Sequence, residues 1–87
     1  MVTRARGMLK SVHSPEQLAF RLLLVEARKR AGLTQDELAK RLKKPQSFIA
    51  KYEGGERRLD VLEFITITQA MGAEPTRLLK ALIRQIR

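Results

Sequence analysis

Apolar residues recur along this chain in five stretches, each with a three-to-four-residue period. Glycine, proline or a run of charge closes each of the first four. The spacing predicts five helices. The first opens at Ser14-Pro15-Glu16-Gln17. Ser14 suits an N-cap, Pro15 the first helical position, and Gln17 the closing position of a capping box. Leu18, Leu22, Val25 and Lys29 share one face, which Phe20, Leu23, Leu24 and Ala27 widen. The helix is expected to run to Ala31 and stop on a left-handed Gly32.

Thr34 and Glu37 form the capping box of a second helix, with Leu33 and Leu38 as its hydrophobic staple. Leu38, Ala39 and Leu42 point inward at helical spacing. A break at Lys43-Lys44 precedes a third helix that starts on Pro45, buries Phe48, Ile49 and Tyr52, and ends at Gly54-Gly55. The Tyr52 hydroxyl is expected at the rim of the core. Glu56-Arg57-Arg58 reads as an exposed loop. Asp60 and Glu63 box the fourth helix, and Leu59 staples to Phe64. Its buried face is expected to carry Leu62, Ile65, Ala70 and Met71, and Gly72 stops it. The β-branched residues 65–68 are weak helix formers that packing can override.

The fifth helix starts near Pro75. Its apolar stripe holds Leu78, Leu79, Leu82, Ile83 and Ile86, opposite Arg77, Lys80, Arg84 and Arg87. Leu78, Leu79 and Leu82 are expected to face inward, leaving Ile83 and Ile86 for a partner. No strand pattern, internal repeat or low-complexity tract survives. The expected fold is all-α, one compact five-helix domain over residues 13–87. A flexible basic tail, residues 1–12 with Arg4, Arg6 and Lys10, precedes it.

Composition narrows the chemistry. Hydrophobic residues at 44% support a packed core and exclude disorder of the whole chain. Without cysteine there is no disulfide framework, thiolate metal site or cysteine nucleophile, and His13 alone cannot build a zinc site. No metal or other cofactor is therefore expected. Eighteen Lys and Arg against nine Asp and Glu give a formal charge of +9, which favours a polyanionic partner. No apolar run spans a bilayer, and residues 1–14 lack the apolar stretch of a signal peptide. A cytoplasmic, nucleoid-associated protein with no membrane partner is the expectation. Histidine–nucleophile pairs, paired-carboxylate pockets and glycine-rich phosphate loops are missing, so an enzyme is not expected. The few aromatics sit at core spacing, which argues against a stacking platform for single-stranded RNA.

The segment GLTQDELAKRLKKPQSFIAKYEGGERRLDVLEF resembles the lambda-repressor-like helix-turn-helix family, of Xre/Cro type. The resemblance covers roughly residues 18–79, and the PQSF and KYE.GERRLD strings are similar to those of small bacterial members. It implies a transcriptional regulator of double-stranded DNA, expected to be a dimeric repressor that reads the major groove with the helix at 45–53. An antitoxin that binds a toxin protein and its own operator is the alternative. By position, Gln46, Ser47, Ala50 and Lys51 would meet base edges, since glutamine suits adenine, lysine suits guanine, and an alanine methyl suits a thymine methyl. Gln35, Lys43, Lys44, Arg57 and Arg58 would meet phosphates. The family also commonly sets the residue at Gln35 against the start of the recognition helix. It pairs an arginine and a glutamate at the positions of Arg28 and Glu53. It usually has glycine where this chain has Lys43, because the turn often needs a positive φ.

Overall fold

The computed structural model describes residues 13–87, and the expected tail at 1–12 lies outside them. Among the described residues there are five helices and no strand: α1 Pro15–Arg30, α2 Gln35–Leu42, α3 Gln46–Glu53, α4 Val61–Ala70 and α5 Pro75–Ile86. Local chemistry sets most of their ends. The Ser14 hydroxyl accepts the Gln17 N–H at the start of α1. Thr34 with Glu37 and Asp60 with Glu63 form full capping boxes on α2 and α4. At the end of α1, Gly32 at φ 74° lets its own N–H reach the Lys29 carbonyl and the Leu33 N–H reach the Arg28 carbonyl.

The turn between α2 and α3 has no glycine. Lys43 takes the left-handed conformation there, φ 56° and ψ 42°, and is the one non-glycine residue with positive φ among those described. Its N–H bonds the Lys40 carbonyl and the next N–H bonds that of Ala39, so two carbonyls at the end of α2 are satisfied. Pro45 caps α3 instead of opening it. Its extended ψ of 152° places Gln46 as the first helical residue.

The core gathers Leu24, Ala27, Leu33, Leu38, Ala39, Ile49, Tyr52, Phe64, Ile67 and Met71. Each fully buried large aliphatic contributes about 1.5–3 kcal/mol of transfer free energy. Ala39 is 1% exposed where α2 meets α3, and its single methyl lets the two helices approach closely. α1 packs on α3 and α5, and α4 packs on α2 and α5.

Four further details depart from the sequence expectations. α1 buries Leu24, Ala27 and Arg28, while Leu18 and Leu22 are about half exposed. Leu62 is 75% exposed. α4 turns Phe64, Ile67, Thr68 and Met71 inward, and Leu62 lies about 200° around the helix from Phe64. On α5, Leu79 is exposed and Ile86 half-buried, the reverse of the expected assignment, because Leu78, Leu82 and Ile86 share the inward side. The Tyr52 hydroxyl is not at the rim. It is buried without a hydrogen-bond partner among the described residues, and burial raises its pKa.

Candidate nucleic-acid interface

α3 is eight residues long, and its two sides differ completely. Ile49 and Tyr52 are buried, while Gln46, Ser47 and Lys51 are exposed and Ala50 is half-buried. These last four occupy positions i, i+1, i+4 and i+5 of the helix, so they form one outward strip. Pro45 gives α3 no side-chain cap, and its first turn holds no acid. Its unbonded N–H groups therefore add positive potential at the end nearest Gln46.

Arg28 and Glu53 fix the other end of α3. Arg28 Nε donates to Glu53 Oε2 at 2.8 Å and its Nη2 donates to Oε1 at 3.1 Å, a forked pair with side chains 11% and 6% exposed. Arg28 Nη1 also donates to the Leu33 carbonyl at 2.8 Å. The hydrogen bond to Glu53 raises the pKa of Arg28. A buried pair of this kind gives geometry more than net stability.

Gln35 extends the arrangement. Its Nε2 donates to Glu53 Oε1 at 2.8 Å, and its Oε1 accepts from Gln46 Nε2 at 2.6 Å. A polar relay thus runs from Arg28 on α1, through Glu53 and Gln35, to Gln46 at the tip of α3. One amide hydrogen of Gln46 is used in this relay, which leaves the other hydrogen and the amide oxygen. That donor–acceptor pair is what the N7/N6 edge of adenine requires.

The expected phosphate residues fall into two groups. Lys43 and Lys44 are exposed at the helix-turn junction, with Lys44 Nζ 5.4 Å from the centre of the Phe48 ring. Arg58 is exposed in the loop after α3. Gln35 and Arg57 are held by the protein itself. The two Nη atoms of Arg57 donate to Glu63 Oε1 and Oε2 at 3.1 and 2.7 Å, and its Nη1 also reaches the Arg58 carbonyl. Its guanidinium lies 4.9 Å from the centre of the Phe48 ring. The Arg57–Glu63 tie was not read from the sequence, whereas the Gln46–Gln35 bond is the contact with the start of the recognition helix that the resemblance implied. Only the charge signs of the first hinted at it, across a loop of unknown shape.

The loop can turn because Gly55 adopts φ 81°. A Cβ there would lie 2.8 Å from the Arg21 guanidinium. Among the described residues no group of three or more His, Cys, Asp or Glu could hold a metal ion, and no helix is long and apolar enough to cross a membrane.

The model of a family described as helix-turn-helix matches residues 24–78. An XRE-family like protein from Pseudomonas syringae pv. tomato str. DC3000 is 46% identical, with a TM-score of 0.80 over 87% of this chain and 93% of that one. The restriction-modification controller protein C.AhdI from Aeromonas hydrophila is 28% identical, with a TM-score of 0.64 over 70% of this chain and 92% of that one. The fold is also shared with the controller protein C.Esp1396I, solved as a tetramer on its natural 35 base-pair operator. That protein is 20% identical, with a TM-score of 0.75 over 85% of this chain and 97% of that one. No curated protein matches the chain.

Proposed function

The chain belongs to the lambda-repressor/Xre-type helix-turn-helix family, and from that premise we propose that it is a transcriptional regulator that binds duplex DNA sequence-specifically with α3 in the major groove. The outward strip of α3 carries the proposal. A helix of 10–12 Å diameter fits a groove about 12 Å wide. Gln46, Ser47, Ala50 and Lys51 then face base edges, with Gln46 on adenine and Lys51 on guanine. Lys43, Lys44 and Arg58 flank the strip and neutralise phosphates, and Gln35 retains one amide hydrogen for the same purpose. The net charge of +9 supports the same reading.

One such strip reads only a few base pairs, so useful specificity calls for two copies on a two-fold operator. The exposed Leu79 and Ile83, at i and i+4 on α5, are the surface we assign to that contact. Occupying the operator as a dimer would repress by excluding other proteins from the site.

Selection of bound duplexes from a random pool tests this directly. The wild type is expected to return a two-fold symmetric motif, and Gln46→Ala and Lys51→Ala each to relax it at separate positions. Unchanged motifs from both variants would reject the base-contact assignment. A pool without enrichment would reject sequence-specific binding.

A further inference from the structure

Arg57 looks like a phosphate clamp, but its neighbours suggest other work. Both of its Nη atoms donate to the Glu63 carboxylate, at 2.7 and 3.1 Å, and its central carbon lies 4.9 Å from the centre of the Phe48 ring of α3. Glu63 is itself fixed, since its Oε1 also accepts the Asp60 N–H at 3.0 Å in the α4 capping box. Phe48 in turn meets Tyr52 edge-on, with ring centres 5.8 Å apart and planes at 70°. One guanidinium therefore connects the first turn of α4 to the recognition helix and to the aromatic side of the core.

This connection matters because the other polar ties of α3 run one way. That helix packs chiefly on α2 and α1, and its polar ties through Glu53 and Gln46 run to those same two helices. Toward α4 the tie is Arg57, whose guanidinium lies 4.9 Å from the centre of the Phe48 ring. A helix about 12 Å long whose polar ties lie on one side can still pivot on its apolar contacts. A pivot of α3 displaces Gln46 and Lys51 relative to bases they must meet within a few tenths of an ångström.

We propose that Arg57 and Glu63 are positioning residues that set the angle of α3 for base reading, and that Arg57 is not a phosphate contact. This rests on the regulator reading above. The forked geometry is essential, because a lysine ammonium keeps the charge but cannot grip a carboxylate with two donors. An exposed ion pair adds little to stability, so the effect belongs to binding and specificity.

The decisive variant is Glu63→Gln. Glutamine keeps an acceptor for the capping box but releases the charge pair with Arg57. It also makes the protein one unit more positive, so electrostatics alone would tighten binding to any duplex. A positioning role requires the opposite. Binding to the selected duplex should weaken about three- to ten-fold, in the range where 1.4 kcal/mol is ten-fold, with reduced preference over random duplex. Arg57→Lys should weaken it similarly and leave the salt slope unchanged. Tighter binding by Glu63→Gln, or wild-type binding by Arg57→Lys, would overturn the proposal. So would a slope that drops by about one in Arg57→Ala once its charge loss is matched by a remote Lys→Ala control.

If the wild type bound no duplex, the regulator reading would fall, and with it the base-reading role of the brace. The brace itself would then be judged in the free protein. Glu63→Gln must shift the Phe48 ring resonances while the chain keeps its folded, helical state. Unshifted rings would overturn it.

Discussion

Lys43 occupies a backbone conformation that glycine tolerates far better. A left-handed non-glycine residue costs about 1–2 kcal/mol, partly offset because glycine would add freedom to the unfolded chain. The cation sits at the junction beside the proposed DNA surface, where this conformation projects it. Lys43→Gly is therefore expected to raise unfolding free energy by about 0.5–1 kcal/mol in urea titration, while DNA binding weakens. Glu53 presents the opposite case. Its loss would leave the Arg28 guanidinium buried without its partner and Gln35 without its acceptor. Glu53→Ala is expected to lose about 3–5 kcal/mol. Replacing Arg28 and Glu53 together by Met and Leu should cost much less, because no buried charge remains. Equal losses in the single and double variants would show that the pair itself supplies stability.

At the scale of elements, the capping boxes of α2 and α4 make the fold pH-sensitive. The Thr34 N–H and hydroxyl hold the Glu37 carboxyl below its ordinary range. Arg57 and the Asp60 N–H do the same for Glu63. A carboxyl with a depressed folded pKa stabilises fully above its unfolded pKa, near 4.5, and loses that contribution as pH falls through the folded value. The thermal transition should therefore drop on acidification below about pH 4.5. Glu37→Gln with Glu63→Gln should flatten that drop, since glutamine caps without titrating. A wild-type profile flat from pH 5 to pH 3 would contradict this assignment. These same boxes show what a sequence discloses. Thr34-x-x-Glu37 and Asp60-x-x-Glu63 close within one turn, so spacing alone locates them. The rotation of a helix about its axis is set by distant neighbours instead. Leu62 and Leu79 have the right character for the core, but Phe64 and Leu78 take the inward positions. The buried hydroxyl of Tyr52 and the six-residue reach from Arg57 to Glu63 depend on tertiary packing in the same way. The outward strip at 46–51 was legible because one turn of helix, with Ile49 and Tyr52 buried, leaves only one side for polar residues.

The whole molecule combines a strong positive charge with an incompletely covered apolar face. α5 contains no fully buried residue, although its apolar stripe runs its length. Leu79 is 43% and Ile83 51% exposed, on a helix that packs by its other edge on α1. Light scattering should give a dimer for the wild type and a monomer for Ile83→Glu, whose carboxylate would be desolvated twice over in a two-fold contact. A wild-type monomer at high concentration would remove the dimer. The most direct test of base reading through α3 follows amide resonances while the duplex recovered by selection is added. The largest shifts should fall on Gln46, Ser47, Ala50 and Lys51, with smaller ones at Lys43, Lys44 and Arg58. Shifts confined to α1 or α5, with α3 unmoved at saturation, would contradict it.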